Sequence, residues 1–112
     1  MDSKEFNLLA NGIFSECKAK LISKGQEYAK GKDRLSNFKR AAALEQVDPE
    51  LALQGMMTKH VVSIYDYIDD LNDGIFALTT DQLEEKIVDN INYLILLWAL
   101  VNERIGATDA PC

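Results

Sequence analysis

An uninterrupted apolar stretch near the C-terminus limits what this chain can fold into. Residues 93–101 (Tyr-Leu-Ile-Leu-Leu-Trp-Ala-Leu-Val) carry no charged side chain and lie within a segment of helical periodicity. The stretch is about half of the ~20 residues that a transmembrane helix needs, so we expect no membrane partner. A helix that is apolar on every side must be buried on every side. A small bundle cannot easily enclose one helix, which favours a homodimer that packs these helices across a two-fold axis.

The composition is that of a globular domain. A length of 112 residues suits one domain over 1–112, and 47% hydrophobic with 27% charged residues argues against disorder. The net charge of -6, without a long run of Lys or Arg, disfavours nucleic acid as the main partner. Cys17 and Cys112 match no metal-ligand spacing, and the N-terminal sequence lacks a signal-peptide pattern. We therefore expect a cytoplasmic protein.

Apolar residues recur at spacings of three and four, without β-alternation, which predicts an all-α fold, a small antiparallel helical bundle. Start and stop signals predict helices at about 3–24, 36–45, 49–71 and 80–104, and a loop at 25–35. The start signals are Asp2 with Glu5, Ser36, Asp48-Pro49-Glu50, and Thr79 with Gln82; the stop signals are Gly25 and Asn72-Asp73-Gly74. The predicted buried faces are Phe6, Leu9, Ile13, Cys17 and Leu21 on the first helix, and Leu53, Met57, Val61, Ile64, Ile68 and Leu71 on the third.

Polar residues occur at helical spacing inside the two long C-terminal helices. On the last helix they are Glu85, Asp89 and Asn92; on the preceding helix they are Lys59, Ser63, Asp66 and Asp70, with His60 at the edge. A short connection makes the two helices antiparallel neighbours. We therefore expect Asp66 near Glu85, Ser63 near Asp89, and both Lys59 and His60 near Asn92.

Two interpretations of these stripes remain open, because buried carboxylates need a partner. In the first, Lys59 and Asp89 form a structural ion pair and the other groups are solvated. In the second, the stripes form a site: Glu85, Asp89 and Asp66 hold a hard divalent cation, and Lys59 and His60 contact phosphate oxygens, with Ser63 and Asn92 beside them. His60 is the only histidine and the candidate catalytic residue, although a single histidine is more often a hydrogen-bonded helix residue.

Several stretches of the chain also point to a family. They are Lys-Gly-Gln-Glu-Tyr at 24–28, Leu-Ser-Asn-Phe-Lys at 35–39, Lys59-His60 with Ser63, and Glu-x-x-x-Asp-x-x-Asn-Tyr at 85–93. Together they resemble the phage-encoded nucleotide modification associated domain, a family similar to the MazG-like all-α nucleotide pyrophosphohydrolases. The resemblance spans roughly residues 20–104.

This resemblance implies a nucleotide ligand, oligomerisation, and a phage or prophage gene in a bacterial host. It implies that Asp89 is a Mg²⁺ ligand, with Glu85 four rather than three residues before it. The family's first acidic pair is absent: Lys59, His60 and Ser63 stand near its place, and Asp66 is the one replacement. Phosphate or nucleotide contacts are implied for Tyr28, Asn37 and Lys39.

Three functions follow as hypotheses. The first is a Mg²⁺-dependent hydrolase that acts on a nucleoside triphosphate or a related phosphate. The second is a phage protein that sequesters a nucleotide and counters host defence signalling, which the missing acidic pair favours. The third is an acidic, dimeric protein that binds or inhibits another protein.

Overall fold

Four helices make up the computed structural model, which describes residues 1–28 and 33–108. They are α1 (Ser3–Tyr28), α2 (Ser36–Glu45), α3 (Pro49–Asn72) and α4 (Thr80–Thr108). The described residues contain no strand, which confirms the predicted all-α class. None of the four helices is both long and apolar enough to cross a membrane. Residues 29–32 of the predicted loop, and Cys112, lie outside the described residues.

Two helix starts carry the capping interactions that the sequence predicts. At the start of α4, the Thr79 N–H donates to Gln82 Oε1 over 2.9 Å, and the Gln82 N–H donates to Thr79 Oγ1 over 3.2 Å. This reciprocal pair is a capping box. At the start of α1, the Glu5 N–H donates to Asp2 Oδ1 over 2.8 Å. Both caps satisfy backbone donors that a helix leaves without an internal acceptor.

The two other helix starts differ from the prediction in detail. Asp48 precedes Pro49 as expected, but its carboxylate makes no capping hydrogen bond and lies 3.3 Å from the Arg104 guanidinium. Ser36 is the first residue of α2 rather than its cap. The residue before it, Leu35, donates its N–H to Asp33 Oδ1 over 2.9 Å, so an aspartate side chain organises this turn.

The predicted end of the first helix at Gly25 is wrong, because α1 continues through Gly25 to Tyr28. Gly25 is not among the described residues with positive φ, so it does not form a left-handed stop. A Cβ atom at Gly25 would lie 2.7 Å from Arg34 Nε. The glycine therefore makes room for the Arg34 side chain rather than ending the helix.

The packing of α3 on α4 is antiparallel, as the short connection predicts. Ser63 near the C-terminal end of α3 accepts a hydrogen bond from Lys86 near the start of α4, and Glu50 at the start of α3 pairs with Arg104 near the end of α4. α2 packs on α3, and α1 packs on α4. The buried core lies where α2, α3 and α4 meet and consists of Leu35, Phe38, Leu53 and Leu100.

Two predicted buried faces are exposed at one end. On α1, Cys17 is buried, but Phe6 and Leu9 are exposed, and so are all of the first nine residues. On α3, Leu53 is buried, but Ile68 and Leu71 are exposed. The residues of each predicted face lie on one side of the helix, but none of the four described helices covers that side at these ends.

The apolar stretch of α4 is also only partly covered within one chain. Leu94, Ile95 and Trp98 are exposed, while Leu100 is buried. The radius of gyration is 16.9 Å, compared with about 13 Å for a compact domain of similar length. The single chain therefore has an elongated shape and leaves large apolar surfaces uncovered.

Candidate functional site

A cavity of about 360 Å³ lies between the four helices and the residues that precede α2. It extends along α4 from Glu85 to Leu96, which are eleven residues or roughly 16 Å apart along the helix. Its lining residues are Lys20, Leu21, Lys24, Arg34, Asn37, Phe38, Met56, His60, Glu85, Asp89, Asn92, Tyr93 and Leu96. Three cations and two carboxylates therefore share one space with apolar and aromatic side chains.

The carboxylate of Asp89 is paired with a lysine from α1. Lys20 Nζ lies 2.5 Å from Asp89 Oδ1 and 4.0 Å from Glu85 Oε1. Glu85 and Asp89 are one turn apart on α4, so a single ammonium group lies beside both carboxylates. Lys20 and Asp89 are both partly buried, which weakens the screening of their attraction by water.

His60 lies on the α3 side of the cavity, against the same aspartate. Its Nδ1 atom is 3.9 Å from Asp89 Oδ2, and its ring centroid is 5.0 Å from that of Tyr93. The Asn90 side-chain amide donates to the His60 carbonyl over 3.2 Å and to the Lys86 carbonyl over 2.8 Å. Asn90 thus ties the backbone of α3 to α4 at the level of the cavity.

Asn92 is the one buried polar or charged residue of the described chain, with 7% of its surface exposed. Its Nδ2 donates to the Cys17 carbonyl over 3.2 Å and so joins α4 to α1. Its Oδ1 is buried and has no hydrogen-bond partner among the described residues. Beneath this contact, burial raises the pKa of the Cys17 thiol, because the thiolate would lose its hydration.

A second group of cations comes from the end of α1 and the turn before α2. Arg34 donates from a guanidinium nitrogen to the Leu21 carbonyl over 3.2 Å, and its side chain passes over Gly25. Lys24 lines the cavity one turn after Lys20. These contacts place the Arg34 guanidinium and two ammonium groups on the α1 side of the cavity.

Five of the predicted site residues line this cavity: His60, Glu85, Asp89, Asn92 and Asn37. Four others do not. Lys59 and Asp66 are exposed on α3, and the predicted Lys59–Asp89 pair is replaced by Lys20–Asp89. Ser63 accepts a hydrogen bond from Lys86 instead of facing Asp89. The side chain of Tyr28 lies outside the described part of the chain.

Lys39 also lies elsewhere, because two carboxylates hold it. Its Nζ is 2.6 Å from Asp33 Oδ2 and 2.5 Å from Glu103 Oε1. These hydrogen bonds raise the pKa of Lys39, and the bond from Lys39 lowers the pKa of Asp33. The bridge ties α2 to the C-terminal half of α4, and Lys39 does not line the cavity.

The sequence prediction missed Lys20, Lys24 and Arg34. For the two lysines a signal exists: residues 17, 20, 21 and 24 form one helical stripe, so both lysines share a face with buried Cys17. Arg34 lies outside every helix and follows no periodic pattern, so its position could not be inferred from spacing.

The donor set does not fit the Mg²⁺ site that the resemblance implies. Within residues 1–28 and 33–108, no three His, Cys, Asp or Glu side chains are grouped so that they could hold a metal ion. Asp66, the predicted third ligand, does not line the cavity. The Lys20 ammonium stands between the other two carboxylates, where a cation would be held.

No protein-family model, curated protein or solved structure matches this chain. The chemistry of the cavity is therefore the basis on which a function can be proposed.

Proposed function

We propose that the protein binds a nucleoside phosphate in the cavity between its helices. The observation that carries this proposal is the presence of Lys20, Lys24 and Arg34 in the lining of one cavity. The chain as a whole has a net charge of -6, so a group of three cations is not a general property of its surface. Guanidinium and ammonium groups are the side chains that bind phosphate oxygens most strongly.

The other lining residues suit the nucleoside part of such a ligand. Phe38, Met56 and Leu96 are in or against the hydrophobic core, and they give the cavity an apolar end. Tyr93 and His60 offer aromatic faces between this end and Asp89. A volume of about 360 Å³ falls within the range of small-molecule sites. A nucleoside phosphate with its phosphate groups beside the cations and its base towards Leu96 would occupy both ends of the cavity.

We infer further that the ligand is bound rather than consumed. The Asp89 carboxylate is already compensated by Lys20, and the described residues supply no third metal ligand. This supports sequestration of a nucleotide, such as a host defence signal in the phage setting that the sequence resemblance implies. Hydrolysis is the second candidate, and one observation favours it: Glu85 and Asp89, the acids of the family-like motif, both line the cavity.

Calorimetric titration with ribo- and deoxyribonucleoside triphosphates, in Mg²⁺ and in EDTA, tests the proposal. We expect stoichiometric binding in both buffers and recovery of intact nucleotide after denaturation. Arg34→Ala should weaken binding about 10- to 100-fold, since a hydrogen bond to a charged group contributes roughly 1.5–3 kcal/mol. Arg40→Ala is the matched control, because Arg40 is exposed on α2 outside the cavity.

Three results would change this conclusion. Release of phosphate or pyrophosphate in Mg²⁺ would favour the hydrolase. Equal affinities of Arg34→Ala and Arg40→Ala would remove the cavity as the binding site. Binding of no nucleotide at all would leave the third hypothesis, a protein that acts by contact with another protein.

We also propose that a second copy of the chain covers the exposed apolar surface of α4. Leu94, Ile95 and Trp98 are exposed beside a groove between α3 and α4, which is lined in part by Leu51 and Leu97. The groove continues the exposed surface, so one apolar patch extends over both helices. The elongated shape of the single chain supports this proposal.

A further inference from the structure

Asn92 has a hydrogen-bonding capacity that residues 1–28 and 33–108 do not use. Its Nδ2 donates to the Cys17 carbonyl, which fixes the orientation of the amide, since a carbonyl can only accept. The Oδ1 is therefore an acceptor, and it is buried without a partner in the part of the chain that the structure describes. A buried polar atom without a partner is unfavourable, and few such atoms occur in native proteins.

Asn92 is one of the residues that line the cavity, and it lies between the two ends of this cavity. On α4 it lies one turn after Asp89, which is beside the Lys20 ammonium, and one turn before Leu96, which packs against the core. A ligand that spans the cavity passes Asn92 between its charged and apolar parts. In a nucleoside phosphate, that part of the molecule is the sugar and the near edge of the base.

The chemistry of the free acceptor excludes a phosphate as its partner. Ionised phosphate oxygens only accept hydrogen bonds, so they would repel Asn92 Oδ1 rather than satisfy it. A sugar hydroxyl or a base N–H is a donor and has the required polarity. The Oδ1 atom of Asn92 is therefore assigned to the nucleoside part of the ligand.

Resting on the nucleotide-binding function proposed above, we propose that Asn92 Oδ1 accepts a hydrogen bond from an O–H or N–H group of the nucleoside. The cavity thereby selects nucleoside phosphates over bare phosphate chains of the same charge. Asn92 is the specificity-determining residue, while Lys20, Lys24 and Arg34 supply affinity for any polyphosphate.

The Asn92→Leu variant, which is close in shape and has no polar side-chain atom, tests this assignment. Inorganic tripolyphosphate and the best-binding nucleoside triphosphate are titrated into wild type and variant. We expect the nucleotide to lose roughly tenfold in affinity and tripolyphosphate to be unchanged. Asn102→Leu is the control, because it makes the same substitution at an exposed position of α4 and should change neither affinity.

Analogues of that nucleotide, titrated into wild type, identify whether a sugar hydroxyl or a base N–H donates the hydrogen bond to Asn92. One analogue lacks the 2′ and 3′ hydroxyl groups, and others carry methyl groups in place of the base N–H hydrogens. One of them should bind roughly tenfold more weakly than the parent, and that loss should disappear in Asn92→Leu. The analogue series on wild type alone decides the question if Asn92→Leu does not fold.

The outcomes distinguish this inference from the function on which it rests. If wild type binds the nucleotide but Asn92→Leu weakens nucleotide and tripolyphosphate equally, or neither, the Asn92 assignment is overturned and nucleotide binding stands. If all analogues bind wild type equally, the Asn92 assignment is likewise overturned, and an internal water is then the partner of Oδ1. If wild type binds neither the nucleotide nor tripolyphosphate, both proposals fail.

Discussion

Because Gly25 has no side chain, the Arg34 side chain can pass close to the backbone of α1 at this position. A Cβ at this position would approach Arg34 Nε to 2.7 Å, so Gly25→Ala must displace the guanidinium. Thermal stability should change little, since alanine favours the helix by about 1 kcal/mol and the displaced group is the end of a flexible side chain. Nucleotide affinity, measured by calorimetry, should fall about tenfold or more as the phosphate contact is lost.

The matched control for Gly25→Ala is Gly12→Ala on the same helix. A Cβ at Gly12 would meet no atom within 4 Å, so this substitution should raise the melting temperature and leave nucleotide affinity unchanged. Wild-type affinity in Gly25→Ala would show that Arg34 does not contact the ligand.

Cys17 should be a slow nucleophile, because it is buried between α1 and α4 and burial raises the pKa of its thiol. The raised pKa lowers the fraction of reactive thiolate, and alkylation requires local opening of the helix packing. In a Cys112→Ser background, iodoacetamide should react with the native protein roughly a hundredfold more slowly than with the urea-unfolded chain. Similar rates in both states would mean that α1 does not hold its place on α4.

Spacing alone predicted four of the thirteen residues that line the cavity, and all four are polar. Glu85, Asp89 and Asn92 share one face of a helix, and folding the chain about residue 75 brings His60 near Asn92, into the groove that these residues line. The same procedure placed Lys59 in the cavity, although one residue on a helix corresponds to a rotation of about 100°, and this separates exposed Lys59 from His60. Contacts from α1 depend on how that helix crosses α4, which no local pattern encodes.

At the level of the helices, two residues that follow helix ends adopt the left-handed backbone conformation. One is a glycine, which adopts it without strain, and the other is a glutamine, which does not. Gln46 ends α2 with φ 57°, and Gly74 follows α3 with φ 75°. A side chain in this region is unfavourable by about 1–2 kcal/mol, whereas glycine is not strained. Gln46→Gly should raise the free energy of unfolding by roughly 0.5–1 kcal/mol, after the entropy gained by the unfolded chain is subtracted.

Gly74→Ala is the reciprocal substitution and should lower the free energy of unfolding by about 1 kcal/mol. A Cβ at Gly74 would meet no atom within 4 Å, so the change isolates the backbone effect from a steric clash. Urea denaturation curves with unchanged slopes measure both effects. Changes of the same sign in the two variants would contradict this account of the turns.

The helix boundaries show which helix ends can be predicted from local sequence signals. The predicted helices at 36–45 and 49–71 coincide with α2 and, within one residue, with α3, although Ser36 is not the cap of α2 and the Asp48 carboxylate makes no capping hydrogen bond. Proline at the first position of α3 is one such signal. α1 and α4 each extend four residues further than predicted. At the end of α1, glycine was interpreted as a stop, but tertiary packing of Arg34 explains its presence.

At the scale of the whole molecule, an apolar helix face is buried only where another helix packs against it. The periodicity of α1 assigned Phe6 and Cys17 to the same stripe, yet one is exposed and the other buried. A sequence pattern reports which face is apolar, and the chain's own helices cover only part of that face. The same reasoning applies to α4, whose apolar stretch exceeds what α1 and α3 can enclose.

The proposed dimer gives the last prediction, which uses the single tryptophan as its probe. Trp98 is 68% exposed in one chain, so its fluorescence should shift to the blue as concentration rises and a second copy covers it. Trp98→Glu should reduce the mass measured by light scattering from that of a dimer to that of a single chain, because burying a charge in an apolar interface is costly. Leu44→Glu is the control: Leu44 is 87% exposed on α2 and does not line the groove between α3 and α4, so this variant should remain dimeric. A monomer mass for wild type at every concentration, with the emission of a solvated tryptophan, would exclude the second copy as the partner of this surface.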